Sequence, residues 1–270
     1  AFLVAAVGCF VPAVCQGGFV SEFSGHTVFG LIDGFAAGSA ADADGTVSFS
    51  VYETEDTYWI NDWDSVFSGD FEAAVTDQSG FGTDVDTKLV FFYQVVNDDP
   101  AGPDEHDLEA LQLEFDPGVN LTSWGYVDGF VFVDGEGALD GTNAELGPAS
   151  GSSGDVVGDL TPTHTGTEPT GFAMDSSAMN PNDASMDDFG TLQWDFSQGG
   201  NEIASGGYST LLFFTLDFGS ATFGEGIVTD TGSSNGDIVI PTPVPATGLL
   251  FLLGVPAFGV VLRRKTHLAA

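Results

Sequence analysis

Basic residues are almost missing from this sequence. Of its 270 residues only four are Lys or Arg, whereas 40 are Asp or Glu. All 40 acidic residues lie between Glu22 and Asp237, where Lys88 is the only base, so this segment carries a net charge of −39. A surface this acidic repels nucleic acids and anionic lipids, which argues against a nucleic-acid function. It is typical of a protein that stays soluble in saline surroundings, where salt screens the self-repulsion.

Cysteine is equally scarce. The two cysteines, Cys9 and Cys15, both lie within residues 1–17, which are apolar and end in small residues. This pattern predicts the hydrophobic and cleavage regions of a secretory signal peptide, truncated at its start, with Ala13-Val14-Cys15 as the cleavage site. The exported domain would then contain no cysteine, which excludes a disulfide framework and thiol chemistry from it.

Signatures of catalysis are sparse. The sequence contains no His-Glu-x-x-His motif and no glycine-rich phosphate loop. Pairs of carboxylates are abundant, so the two acids of a glycosidase remain an open alternative. Because 40 acidic residues make some such pair inevitable, the pairs carry little weight. The sequence therefore favours a protein that is not an enzyme, with a secreted hydrolase as the alternative.

Alternation of apolar and polar residues dominates between residues 18 and 240, where no stretch sustains a helical period over three turns. The alternation is clear at 47–51, 111–115 and 192–196, which predicts half-buried antiparallel strands with one wet face. With 24 Phe and 43% hydrophobic residues, the chain can bury a sizeable core despite its charge.

Two runs, 89–96 and 211–218, are apolar on nearly both faces and are expected to be central strands. Weaker strands are expected at 19–24, 27–33, 57–60, 119–126, 129–134, 221–229 and 237–240. Turn signals stand between the strands at Asp33-Gly34, Asp44-Gly45, Asp116-Pro117-Gly118, Asp128-Gly129, Asp134-Gly135 and Asn235-Gly236. Together they predict one all-β domain at 18–240, an antiparallel β-sandwich of jelly-roll-like or immunoglobulin-like type, with a long surface loop at 141–188.

An uncharged apolar run at 246–262 follows the proline-rich segment 241–245. About 17 residues span roughly 26 Å as a helix, at the short end of what crosses a bilayer. Three of the four basic residues of the chain come directly after it, namely Arg263, Arg264 and Lys265. Because such residues stay on the cytoplasmic side, we predict a C-terminal transmembrane helix at 246–262 and a basic cytoplasmic tail at 263–270.

The order of Pro243-Val244-Pro245, a short helix rich in Gly and Leu, and Arg263-Arg264-Lys265 resembles the PEP-CTERM sorting signal. In that family an exosortase, a membrane transpeptidase with its own catalytic cysteine, reads the signal. The resemblance implies that the tail is cut near the Pro-x-Pro and that the rest passes to the cell surface or its polysaccharide. The usual Glu between the prolines is Val244 here, and a variant sorting enzyme or simple retention as a membrane anchor stays open. The resemblance covers about 25 of the 270 residues.

Acidic turns suggest candidate calcium ligands, because Ca²⁺ prefers several carboxylate and carbonyl oxygens on a turn. The segment Asp42-Ala43-Asp44-Gly45 begins like a calcium loop, although its glycine comes two places early for an EF-hand. A second acidic turn is Asn61-Asp62-Trp63-Asp64. The candidate Ca²⁺ ligands are therefore Asp42, Asp44, Asp62 and Asp64, with a solvated acidic surface as the alternative.

Aromatic residues give a second candidate site. Exposed aromatic rings on β-sandwiches stack on sugar rings in many carbohydrate-binding modules. The candidates here are Tyr58, Trp59, Trp63, Trp124 and Tyr126. The alternative is that these rings fill the core.

The expected function is that of an exported, non-enzymatic cell-surface or extracellular-matrix protein, sorted or anchored through its PEP-CTERM-like signal. Its expected partners are an exosortase-type processing enzyme and, before processing, the cytoplasmic membrane through 246–262. A carbohydrate-binding module associated with extracellular polysaccharide is the first alternative, and a secreted hydrolase is the second. No cofactor is expected apart from the candidate Ca²⁺.

Overall fold

A computed structural model of the chain describes residues 25–31, 43–54, 59–60, 70–82, 87–97, 107–134, 137–138, 163–164, 171–217, 219–229 and 233–242. Strands dominate these residues, and the helix α1 (Asp70–Ala74) has only five. The strands are β1 (Gly25–Leu31), β2 (Ala43–Glu53), β3 (Val75–Asp77), β4 (Leu89–Asn97), β5 (Ala110–Glu114), β6 (Leu121–Val127), β7 (Phe130–Asp134), β8 (Gly137–Ala138), β9 (Thr163–His164), β10 (Gly171–Met174), β11 (Asp183–Met186), β12 (Thr191–Asp195), β13 (Leu211–Leu216), β14 (Ser220–Thr229) and β15 (Ser233–Thr242). The predicted all-β class is confirmed.

The largest sheet has seven antiparallel strands in the order β3-β6-β13-β4-β2-β1-β9. Strands β4 and β13 lie side by side at its centre, and every residue of both strands is buried. Their sequences are apolar on nearly both faces, which is what a strand covered on both sides requires. The prediction that these two runs form central strands is therefore confirmed.

A second, five-stranded sheet has the order β11-β12-β5-β14-β15. Its strand β12 alternates between buried and half-buried residues, because only one face of this sheet meets the core. The apolar face packs on one face of the seven-stranded sheet, and both contribute to a single hydrophobic cluster. That cluster includes Phe49, Phe91 and Phe214 from the larger sheet and Leu113, Trp194 and Ile238 from the smaller one.

The opposite face of the seven-stranded sheet is also covered. A second cluster joins Phe92 and Phe213 of that sheet to Phe71 of α1 and to Phe130 of β7. Strand β7 belongs to a three-stranded sheet with the order β10-β7-β8. Apolar groups thus lie on both sides of the central strands. The polar face of β2, predicted to be wet, is buried for the same reason: Ser48 and Ser50 are fully inaccessible.

Several weaker strands predicted from the sequence are present as β1, β6, β7, β14 and β15. The segment 19–24 lies outside the described residues. The strand predicted at 57–60 is wrong for Trp59 and Ile60, which lie outside any strand but are buried in the core.

Two predicted turns are strands instead. Asp44 and Gly45 lie in β2, in register with β1, and Asn235 and Gly236 lie in β15, in register with β14. In both cases the partner strand supplies the main-chain hydrogen bonds that a local turn would otherwise supply. At Asp128-Gly129 the predicted turn is confirmed, with Gly129 at φ 67°.

The long loop predicted at 141–188 is wrong for its second half. Strands β10 and β11 both fall in this range and pair with β7 and β12. Gly, Ser and Asp are frequent here because the strands are short, and tertiary pairing outweighs their low strand propensity. Within the part of the chain that the structure describes, no helix is long and apolar enough to cross a membrane. The predicted signal peptide (1–17), sorting segment (241–245, of which 243–245 are not described), transmembrane helix (246–262) and basic tail (263–270) otherwise lie outside that part.

Candidate functional site

Two of the predicted aromatic residues lie where the seven-stranded and five-stranded sheets meet at one side. Trp124 and Tyr126 project from the same face of β6 and pack, partly buried, against the shared core. The indole N–H of Trp124 donates a 3.1 Å hydrogen bond to the carbonyl oxygen of Ala184 on β11. The structure therefore holds both rings at the junction, with part of each surface still accessible.

A third ring joins this position that the sequence did not indicate. Phe81 packs edge-on against Trp124, with 5.8 Å between ring centroids and 81° between planes, and 64% of Phe81 is exposed. We call Phe81 and Trp124 the aromatic edge. An exposed apolar ring of this size, fixed against a second ring, is a feature of binding surfaces.

The loop that carries Phe81 is held by one carboxylate. Asp77 Oδ1 accepts hydrogen bonds from the backbone N–H and the hydroxyl of Ser79, at 3.1 and 2.6 Å, and Oδ2 accepts from the N–H of Gly82 at 3.0 Å. The Ser79 hydroxyl oxygen in turn accepts from the N–H of Phe81 at 3.1 Å. The side chain of Phe81 thus projects from a loop with a defined conformation.

The remaining aromatic candidates are not exposed platforms within the described residues. Trp59 is fully buried, and its ring contacts Phe71, Phe92 and Phe213 at centroid distances of 6.1, 6.1 and 5.0 Å. The prediction that Trp59 is a sugar-stacking ring is therefore wrong, and the alternative of a core residue holds. Tyr58 and Trp63 lie outside the described residues.

The candidate calcium ligands are not brought together in the described residues. Asp44 lies in β2 opposite Gly30 and not on a turn, while Asp42, Asp62 and Asp64 lie outside the part described. Over the described ranges, no three His, Cys, Asp or Glu side chains lie close enough to hold a metal ion. The sorting-motif residues, Pro243-Val244-Pro245 and Arg263-Arg264-Lys265, are also outside.

A pocket of about 410 Å³ opens where the chain leaves the seven-stranded sheet and enters the three-stranded one. One wall is the turn Asp128-Gly129 between β6 and β7, and the other is the loop that follows β10. Its lining includes Asp128, Gly129, Met174, Ser176, Ala178 and Asn180. We call this the corner pocket.

The polar groups of the corner pocket are mostly acceptors. Asn180 Nδ2 donates a 2.6 Å hydrogen bond to Asp128 Oδ1, which orients both side chains. Asn180 Oδ1 is buried and has no hydrogen-bond partner. Buried acceptors are nearly always satisfied in native proteins, so an unsatisfied one beside a cavity points to a missing donor.

Main-chain hydrogen bonds tie the two walls of the pocket together. The N–H of Asp128 donates to the carbonyl of Ala74 at 2.9 Å, and the N–H of Asp175 donates to the carbonyl of Gly129 at 2.6 Å. Further along the loop, Met179 N–H donates to the carbonyl of Tyr208 at 2.8 Å. The pocket is thus formed before any ligand arrives.

Asp175 anchors the same loop through its side chain. Its carboxylate accepts hydrogen bonds from the Ser177 hydroxyl at 2.6 Å, the Tyr208 hydroxyl at 2.5 Å and the Ser177 N–H at 2.8 Å. The hydroxyl of Ser177 and then that of Tyr208 hold the pKa of Asp175 below its usual value, because both stabilise the charged form. No local sequence signal reveals this network, since its members lie up to 33 residues apart.

One motif of catalytic type does occur in the sequence. Gly232-Ser233-Ser234-Asn235-Gly236 matches Gly-x-Ser-x-Gly, which in α/β-hydrolases places a nucleophilic serine on a sharp strand-to-helix turn. Here Ser234 lies in β15 and pairs with Val228 of β14 along an extended ladder. The strand–turn–helix context that the motif needs is absent around Ser234, so it does not indicate a nucleophile.

No protein-family model, curated protein or solved structure matches this chain. The functional argument therefore depends on the residues and their geometry.

Proposed function

We propose that this protein is an exported, non-enzymatic cell-surface or extracellular-matrix protein that is sorted or anchored through residues 241–265. The observation that carries the proposal is the order of Pro243-Val244-Pro245, an uncharged apolar run and the cluster Arg263-Arg264-Lys265. Its partners are an exosortase-type enzyme and, before processing, the cytoplasmic membrane. A net charge of −39 between Glu22 and Asp237 supports a life in a saline exterior.

The exported part is, in this proposal, an antiparallel β-sandwich with an added third layer. The hydrophobic cluster shared by the five-stranded and seven-stranded sheets supports this architecture. So does the stacking of Phe91 on Phe214 at 4.5 Å in the middle of that cluster. The second cluster, beneath β7 and α1, supports the third layer.

The sorting proposal is tested by the mass of the mature protein extracted from the cell surface. We expect a mass that lacks everything after about Pro245, and recovery of the segment 263–270 on mature protein would leave a membrane anchor only. Replacing Arg263, Arg264 and Lys265 together by Ser is expected to disturb orientation and localisation. Lys88→Ser is the matched control, because it removes the remaining base of the chain from an exposed position in the domain. Unchanged localisation of the triple variant would contradict the proposal.

A carbohydrate-binding role is the second candidate function, and the aromatic edge is the observation that favours it. Sugar rings stack on exposed aromatic rings, and Phe81 presents 64% of its surface beside Trp124. Phe81→Ala is expected to weaken retention on columns of extracellular polysaccharide. Phe189→Ala is the matched control, because it removes an equally large ring that is 90% exposed at the β11–β12 turn. Equal retention of both variants and the unaltered protein would contradict this role, and turnover on a panel of glycans or esters would favour a hydrolase.

A further inference from the structure

We propose that the corner pocket is a binding site for one neutral sugar unit, held through two neighbouring hydroxyl groups. The pocket lies at the β6–β7 turn, and the aromatic edge involves neither this turn nor the loop after β10. The inference does not depend on sorting through the tail or on stacking at Phe81. It depends on the hydrogen-bonding capacity, the shape and the rigidity of the pocket.

The hydrogen-bonding groups of the pocket call for a ligand that donates. Asn180 Oδ1 is a buried acceptor without a partner, and Asp128 has a second carboxylate oxygen beyond the one that accepts from Asn180. The hydroxyl of Ser176, on the rim, both donates and accepts. A vicinal diol fits this arrangement, because one hydroxyl donates to the amide oxygen and its neighbour donates to the carboxylate.

The remaining lining is apolar, which suits the C–H face of a sugar ring. Met174 is 65% exposed, which is unusual for so apolar a side chain, and it lines the pocket together with Ala178. The volume of about 410 Å³ falls in the range of about 300–1,000 Å³ that is typical of small-molecule sites. A sugar unit would use both the acceptors and the apolar wall.

A metal ion fits the same lining poorly. Ca²⁺ takes about six to eight oxygen ligands, usually with several carboxylates. Among the described lining residues Asp128 is the single carboxylate, and one of its oxygens already accepts from Asn180. The thioether of Met174 offers nothing to a hard cation. A neutral ligand rich in hydroxyl groups is therefore favoured over a cation.

The walls are in place without a ligand, so binding requires little ordering. The main-chain hydrogen bonds from Asp128 to Ala74 and from Asp175 to Gly129 fix the turn and the loop. The carboxylate of Asp175, held by Ser177 and Tyr208, fixes the loop a second time. Preorganisation of this kind raises affinity by lowering the entropy lost on binding.

The test is a titration of the ¹⁵N-labelled full chain with glucose, mannose and galactose, followed by NMR. At least one sugar is expected to produce saturable shifts of the amide signals at 128–130 and 176–180. Asp128→Asn keeps the shape of the side chain but removes its charge, and it should weaken binding about fivefold. Ser176→Ala, at an exposed position, should weaken it about threefold. Asp188→Asn is the matched control, because it makes the same change at an exposed position on the β11–β12 turn and should leave the affinity unchanged.

CaCl₂ and methylammonium chloride, at ionic strength matched with NaCl, form the other arms of the titration. Saturable shifts at 128–130 and 176–180 with either salt, and with none of the sugars, would overturn the proposal in favour of a cation site. No shift with any sugar would also overturn it. Sugar binding that Asp128→Asn and Ser176→Ala leave unchanged would place the sugar elsewhere on the protein and would equally refute it.

Discussion

The indole N–H of Trp194 on β12 donates a 2.8 Å hydrogen bond to the carbonyl oxygen of Gly125 on β6, across the two larger sheets. A second hydrogen bond runs in the opposite direction beside it, from the indole of Trp124 to the carbonyl of Ala184 at 3.1 Å. Trp124 precedes Gly125 in β6, and Ala184 pairs with Trp194 in the β11–β12 ladder. The two sheets are thus joined by a reciprocal pair of bonds from two neighbouring positions on each side.

Replacing Trp194 by Phe should destabilise the protein more than the same change at Trp124. Trp194 is fully buried, so the variant leaves a gap and removes the donor to a buried carbonyl, with an expected loss of about 2–4 kcal/mol. Trp124 is only partly buried, and water can replace its hydrogen bond at a loss of about 1 kcal/mol. Urea unfolding of both variants measures the difference, and equal losses would contradict the assigned burial.

Gly125 is also the position least able to accept a side chain. A Cβ atom there would lie 2.0 Å from the carbonyl oxygen of Thr76 in the neighbouring strand β3. Gly125→Ala must therefore separate β3 from β6, and we expect a loss of about 3 kcal/mol or more. Gly200→Ala is the comparison, because its φ of 82° makes alanine strained while the space around it is open. That strain should cost about 1–2 kcal/mol, so similar melting temperatures for the two variants would refute the clash.

The hydrogen bond from Tyr208 to Asp175 predicts a change in acid stability. Asp175 has its folded pKa lowered by Ser177 and Tyr208, so it stabilises the fold above its unfolded pKa of about 3.9, and this stabilisation is lost as the pH falls through the folded pKa. Tyr208→Phe should raise the folded pKa of Asp175 towards its usual value and reduce stability at neutral pH. Carboxyl ¹³C titration measures the pKa directly. Tyr126→Phe is the control, and a pKa that responds equally to both variants would contradict the assigned bond.

The sequence predicted the strands whose neighbours are all alike. In β4 and β13 both faces are apolar because both faces are buried, and in β12 the alternation matches one dry and one wet face. Periodicity records the average environment of each face, so these strands could be found without tertiary information. It failed at Ser48 and Ser50 of β2, whose polar side chains are buried by a layer that no local pattern announces.

The candidate site was predicted only in part, for a similar reason. The sequence indicated Trp124 and Tyr126 and the turn at Asp128-Gly129, which are local features. It did not indicate that Asn180 reaches Asp128 across 52 residues of sequence, or that Phe81 packs against Trp124. Side chains that meet through tertiary structure leave no spacing in one sequence, and an aromatic residue in an acidic stretch, such as Trp59, looks exposed when it is buried.

The charge of the domain predicts that its stability depends on salt. A net charge of −39 lies between Glu22 and Asp237. Self-repulsion should weaken the fold at low ionic strength, since the Debye length grows from about 8 Å at 0.15 M to about 30 Å at 0.01 M. Added NaCl should therefore raise the melting temperature gradually. A melting temperature that does not respond to any salt would refute this electrostatic argument.

Calcium distinguishes a specific site from general screening in the same experiment. A Ca²⁺ site stabilises by mass action, so its effect appears at low concentration and grows only logarithmically once the site is filled. Melting curves in NaCl, MgCl₂ and CaCl₂ at matched ionic strength separate this behaviour from screening. We expect the three curves to coincide, because Asp44 lies in a paired strand and the described residues bring no three acidic or histidine side chains together around a metal position. A large shift with millimolar CaCl₂ alone would instead show that a calcium site exists, and Asp62→Asn with Asp64→Asn would then test whether the acidic turn at 61–64 forms it.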